Sequence, residues 1–167
     1  MNASPTSALA KVLGVATVLA RWTLGAFFVY MGARKALAPV AFLELLREYD
    51  LVHNWFALNA IASALPWFEI FCGFLLLAGI AVRGTALLVA AMLAFFTCVV
   101  LRRALALETV LAVPFCAVKF DCGCGGGPEF ICAKLRENAL LLGLAFWLLV
   151  GRGRCVLYQW PRRPEPV

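Results

Sequence analysis

Two cysteines separated by one glycine stand in the segment Phe120-Asp121-Cys122-Gly123-Cys124-Gly125-Gly126-Gly127. Thiols held that close can exchange disulfides with a partner or help to hold a metal ion. A Cys-x-Cys disulfide closes a small strained ring, and strained, exposed disulfides are the easier ones to reduce. The central glycine permits the backbone angles such a ring demands. Pro128 and Glu129 read as a helix start, which puts a third cysteine, Cys132, near the amino end of that helix. There the helix dipole, Lys134 and Arg136 favour its thiolate, while Asp121 and Glu129 oppose it. Cys122, Cys124 and Cys132 are therefore the candidate catalytic thiols. In that chemistry Cys122 or Cys124 attacks a partner's disulfide, and a neighbouring cysteine resolves the mixed disulfide.

Other uses of the same residues stay open. Three cysteines with His53 or Cys116 would supply a four-ligand zinc or iron site, although such sites more often use Cys-x-x-Cys. No metal ligands are assigned on that basis. The cysteines would otherwise form a static disulfide in a membrane-surface turn. Haem fits poorly, because there is no Cys-x-x-Cys-His and the single histidine cannot give a bis-histidine site. The chain has seven cysteines, an odd count that cannot pair completely within one molecule. Cys72 and Cys98 lie inside apolar runs and read as small hydrophobes, whereas Cys116 and Cys155 lie near charged flanks.

The elements that must position these thiols follow from composition. The chain of 167 residues is 64% hydrophobic, with a mean hydropathy of +0.92, against about 45–50% apolar in soluble domains. Lipid is the natural solvent for that much apolar surface. The 15 Lys and Arg against 9 Asp and Glu give a net charge of +6. The basic residues sit between apolar runs rather than along one face, which fits membrane-helix ends and argues against nucleic acid as a partner.

The pattern predicts an all-α, polytopic membrane protein, a four-transmembrane-helix bundle in a single domain over residues 1–167. The expected spans cover about residues 8–31, 55–82, 84–101 and 131–151. Residues 38–50, with Phe42, Leu45 and Leu46, read as a short interfacial helix. A Cys-rich loop over 116–132 and a basic tail over 152–167 complete the chain. Val18-Leu19-Ala20 resembles a signal-peptide cleavage site, but the first helix is expected to be retained. Arg83 alone separates spans two and three, so a tight turn is expected there. Between Arg102 and Gly127 a long connection is expected, with a surface-lying or re-entrant piece interrupted by Pro114. Lys134 and Arg136 are expected to snorkel to the surface. The basic tail and Arg83 favour cytoplasmic termini and an extracytoplasmic cysteine loop.

Charges inside the spans are the second functional signal. Glu69 lies within span two beside Pro66 and Trp67, and Arg21 lies within span one. An ionisable residue at membrane depth is either one half of a buried pair or part of a proton path. Arg34 and Lys35 are within reach of Glu69 if it lies near the outer surface. Glu69, Arg21 and Lys35 are thus candidates for an intramembrane ion pair or a proton site near a quinone-type acceptor. The Trp67, Phe68 and Phe71 cluster reads as packing rather than a quinone box. Gly25 and Gly32, one heptad apart, read as a close helix contact.

The stretch Trp22-Thr23-Leu24-Gly25-Ala26-Phe27-Phe28, with Gly32, Lys35, Ala38-Pro39 and Phe42, resembles the opening of the DoxX/MauE membrane family. Leu65-Pro66-Trp67-Phe68-Glu69, with Gly73, Leu75 to Leu77, Gly79 and Arg83, resembles its second helix. Phe120-Asp121-Cys122-Gly123-Cys124-Gly125 resembles the cysteine motif of the MauE branch. The resemblance implies a multi-pass protein of the bacterial cytoplasmic (inner) membrane, involved in methylamine metabolism. It implies a thiol–disulfide oxidoreductase with Cys122 and Cys124 as its redox pair and a thioredoxin-like partner. The implied outcome is disulfide formation in, or maturation of, a redox enzyme such as methylamine dehydrogenase. DoxX relatives keep quinone as a cofactor to consider. Two features depart from the family pattern: the length of Ala104 to Lys119, and the added Cys132. The alternative expectation is a non-catalytic membrane subunit of a respiratory or other redox complex, with structural cysteines.

Overall fold

Backbone N–H and C=O groups that meet no water must be satisfied within their own segment, so long apolar runs fold as helices. The computed structural model describes residues 5–50, 53–122 and 127–151. Helix α1 spans Pro5–Leu37, α2 Pro39–Glu48, α3 Trp55–Ala78, α4 Val82–Leu111 and α5 Ile131–Val150. A 3-10 turn at Phe115–Ala117 leads into a two-stranded antiparallel hairpin, β1 (Lys119–Asp121) and β2 (Pro128–Phe130). Three of the helices, over Lys11–Leu37, Trp55–Ala78 and Val82–Leu111, are long and apolar enough to cross a membrane.

Each long helix turns only one stripe inward. In α1 the stripe is Ala20, Arg21, Leu24, Gly25, Phe28, Gly32 and Lys35, spaced three or four residues apart as one helix face requires. In α3 it is Leu58, Ala62, Pro66, Glu69, Cys72, Gly73 and Leu76. In α5 it is Ile131, Lys134, Asn138, Leu141, Ala145 and Leu148. The outward faces keep large apolar side chains such as Trp22, Phe74, Leu87, Leu140 and Phe146. A helix that is apolar all round, with its polar residues on the inward stripe, is built for lipid rather than water.

Helices α1 and α3 make the most extensive contact in the bundle, and α4 pairs chiefly with α5. The first pair is close because glycines allow it. A Cβ at Gly32 would lie 2.6 Å from the Pro66 carbonyl oxygen, and one at Gly73 would lie 2.7 Å from that of Gly25. Gly32→Ala should therefore lower stability by about 1–3 kcal/mol through overpacking, read as an earlier thermal transition in detergent micelles. Gly14→Ala is the control, since nothing lies within 4 Å of that position. Equal behaviour of the two variants would remove the close-contact account.

Helix ends follow local chemistry. The Asn54 side chain caps α3 by accepting hydrogen bonds from the backbone N–H groups of Phe56 (2.9 Å) and Ala57 (3.2 Å). Gly79, at φ +76°, closes α3 in the left-handed conformation, and the Gly79 and Ile80 N–H groups donate to the last-turn carbonyls. This stop falls short of the expected end of span two near Val82, and the tight turn into α4 takes only residues 79–81.

Three further expectations are corrected. Helix α4 does not end at Leu101 but continues to Leu111, because Arg102 to Leu111 contains good helix formers and no Gly or Pro. Much of the expected connection is therefore helix, and the 3-10 turn at Phe115–Ala117 leads the chain back into β1. Pro128 and Glu129 do not start a helix. They pair in register with Asp121 and Phe120, and Lys119 pairs with Phe130. Proline is tolerated because it is the first residue of its strand. The protein is therefore helical with a small β-hairpin rather than strictly all-α. Lys134 does not snorkel: it is 2% exposed on the inward stripe of α5.

Candidate functional site

The hairpin brings the cysteine region back against α4. Val118, Cys122 and Ile131 pack with Val100 and Ala104 in one buried cluster, which Cys132, Phe96, Met31 and Phe120 border. Cys122, the residue after β1, is 2% exposed. Cys132, second residue of α5, forms a disulfide with Cys116 of the 3-10 turn, with a Cα–Cα distance of 5.1 Å. That bond ties the end of the α4 connection to the start of α5, and the Ile131 N–H donates to the Val118 carbonyl at 3.1 Å beside it. Cys124 and Cys155 lie outside the described residues. Cys72 is buried on α3, whereas Cys98 is exposed on the outer face of α4.

The intramembrane charges separate into two places. Lys35 of α1 donates to Glu69 Oε1 of α3 at 2.5 Å, with both side chains about nine-tenths buried. The second carboxylate oxygen, Oε2, is buried and has no hydrogen-bond partner among the described residues. Arg21 does not join this pair. It lies fourteen residues earlier on α1, about 21 Å along the axis, with its guanidinium against Gly79. A side chain at Gly79 would displace it, so the glycine serves both the left-handed cap and the arginine. Arg34 points elsewhere, over the Tyr30 ring at 6.0 Å.

Glu69, Lys35, Lys134 and Asn138 all line a cavity of about 550 Å³. It lies between the α1–α3 pair and the α4–α5 pair, with Phe42, Leu45 and Leu46 of α2 forming one wall. The other walls are mainly apolar and include Phe27, Phe28, Phe95 and Phe96. Lys134 Nζ donates to Glu137 Oε2 at 2.9 Å and sits 5.9 Å from the Phe27 ring centre. Asn138 Nδ2 donates to Thr97 Oγ1 at 3.0 Å, and Thr97 donates in turn to the Leu93 carbonyl. Trp67, Phe68 and Phe71 face outward and take no part.

The sequence reading missed Cys116 as the partner of Cys132, and Lys134 with Asn138 as cavity residues. One signal for the latter pair was present. Lys134, Asn138, Leu141, Ala145 and Leu148 share one helix face, so the apolar run marks Lys134 as inward.

The family model described as methylamine utilisation protein MauE matches residues 13–151. The chain belongs to the MauE family. No curated protein and no solved structure matches it. The MauE match runs from Leu13 to Gly151 and so includes the cavity, the buried ion pair and the disulfide. MauE membership and three apolar helices together make this a multi-pass membrane protein of a methylamine-utilisation family.

Proposed function

We propose that the protein is a membrane thiol–disulfide redox protein, exchanging electrons with an extracytoplasmic thioredoxin-like partner. Cys122 and Cys124 form its exchanging pair, and Cys132, bonded to Cys116, is the next station of the relay. The observation that carries this reading is that Cys132, bonded to the exposed Cys116, borders the buried cluster that holds Cys122. Thiol–disulfide exchange needs sulfur atoms that can meet, and a shared cluster keeps two cysteine sites within one small region. Helix α5, 20 residues long and so about 30 Å, acts as the fourth span. Helix α2 lies along the interface, with Arg47 stacked 4.4 Å from the Trp55 ring. The termini face the cytoplasm of a bacterial cell, with the hairpin on the outer side of the inner membrane. The product of the exchange is a disulfide in a maturing redox enzyme of methylamine metabolism.

A second reading has its own support. The Cys116–Cys132 bond braces the hairpin against α5, which is what a structural cysteine pair in a non-catalytic subunit would do. One variant separates the two. Cys124→Ser in cells should trap a mixed disulfide between Cys122 and its partner, visible as a reductant-sensitive band on a gel. Its absence, with Cys122 locked in one oxidation state under every redox condition, would leave the structural reading standing.

A further inference from the structure

We propose that the Cys116–Cys132 disulfide is a second port, through which the protein exchanges electrons with an outside dithiol–disulfide couple by way of Cys116. The inference rests on the thiol–disulfide reading above and adds where that relay opens to solution. Exposure is the first support. Cys116 is exposed on the 3-10 turn, Cys132 is partly buried, and Cys122 is 2% exposed. The three residues step inward, from the surface to the cluster that holds Cys122 and that Cys132 borders. Exchange rates depend on which sulfur a thiolate can reach, and access favours Cys116.

The local packing keeps the two sulfurs unequal. Val118 and Ile131 are 0% and 1% exposed, and the Ile131 N–H donates to the Val118 carbonyl. These anchors fix the start of α5 from within, while Pro114, Cys116, Ala117 and Lys119 remain exposed. Helix α5 is the second support. Cys132 is its second residue, and no side chain among the described residues caps that helix start. First-turn N–H groups and the positive end of the helix dipole favour negative charge there. When an outside thiolate attacks Cys116, the sulfur released as thiolate is therefore Cys132, and better leaving thiolates depart faster.

The reverse step uses the same atoms. Reduced Cys116 attacks an outside disulfide, and Cys132 resolves the mixed disulfide by attacking Cys116. Re-forming the Cys116–Cys132 bond breaks two S–H bonds and makes one S–S bond. The outside disulfide loses its S–S bond and gains two S–H bonds, so two electrons and two protons pass to it. With Cys122 and Cys124 serving the thioredoxin-like partner, Cys116 serves a second couple, and electrons taken up at one port leave through the other.

The test uses full-length protein in lipid nanodiscs, reduced with dithiothreitol, desalted and mixed with glutathione disulfide as the probe. Acid quenching, alkylation and peptide mass mapping read each cysteine over time. Glutathione should appear first on Cys116, roughly tenfold or more above Cys132 or Cys122, because access sets which sulfur reacts. It should then give way to the Cys116–Cys132 bond. Cys132→Ser should hold the adduct on Cys116, and Cys116→Ser should slow oxidation of Cys122 roughly tenfold or more. Cys98→Ser, on the outer face of α4, should match the parent. A first adduct on Cys132 or Cys122 of the parent overturns the port without recourse to any variant. Oxidation of Cys122 at the parental rate in Cys116→Ser, shown to be folded by far-UV dichroism, overturns it equally. Oxidised thioredoxin is the second probe. Exchange with it assigns the port to a protein couple, exchange with glutathione disulfide alone assigns it to a small one, and exchange with neither overturns it. Passage of the adduct from Cys116 to Cys132 while Cys122 never changes state refutes the relay and leaves the port. Cys122 trapped with its partner in Cys124→Ser, with no adduct on Cys116, refutes the port alone.

Discussion

Glu69→Leu will destabilise the protein by about 3–5 kcal/mol, the usual result of removing one partner from a buried ion pair. The reason lies on α1. Lys35 remains on the inward stripe with its side chain 8% exposed, and the Phe42 and Phe96 rings lie 5.4 and 5.9 Å from its ammonium. Cation–π attraction at that range supplies about 0.5–2 kcal/mol, too little to replace a carboxylate. Adding Lys35→Met removes the orphaned charge, so the double variant should return to within about 1 kcal/mol of the parent, as apolar replacements of buried pairs often do. Denaturant titration in mixed micelles measures all three proteins. If the single and double variants unfold together, the two residues are not coupled. Glu69 would then owe its place to the cavity alone.

Loss of the Cys116–Cys132 bond is the second large effect. The bond closes a loop with a sequence separation of 16, for which the chain-entropy account gives about 3 kcal/mol. Cys116→Ala, Cys132→Ala and their combination should all show this same loss, because either single change already opens the loop. Thermal melting with and without reductant provides the readout. Reductant should lower the parent to the level of the variants and leave the variants where they are. A parent that melts at the same temperature in both conditions would show that the hairpin is held by Val118, Cys122 and Ile131 packing on α4 instead.

Sequence alone carried the positions of the long helices, since lipid imposes helix on any long apolar run. It also carried Lys35 as one of three candidate partners of Glu69, beside Arg21 and Arg34, because charges at membrane depth must find each other or water. It failed where the decision was non-local. Pro128 and Glu129 have the local chemistry of a helix start, and only pairing with residues 119–121 makes them a strand. Lys134 is long enough to snorkel or to turn inward, and the place of α5 in the bundle decides between them. The bond between Cys116 and Cys132 could not be chosen, because cysteine connectivity does not follow from spacing. The cavity was invisible for a related reason: it forms where two helix pairs meet under α2, and no single segment encodes it.

The unexpected length of α4 has a consequence for approach. The cluster around Cys122 packs at the level of Val100 and Ala104, whereas the helix continues to Leu111, about 10 Å farther. The chain must therefore climb past the cysteine level and descend again before it reaches β1. The outer turns of α4, with Val110 and Leu111 exposed, stand beside the thiol site like a parapet. On the proposed exchange, any folded visitor would have to dock over or around that rim. The rim would add to the burial of Cys122, which is itself 2% exposed, in limiting which reductants reach it.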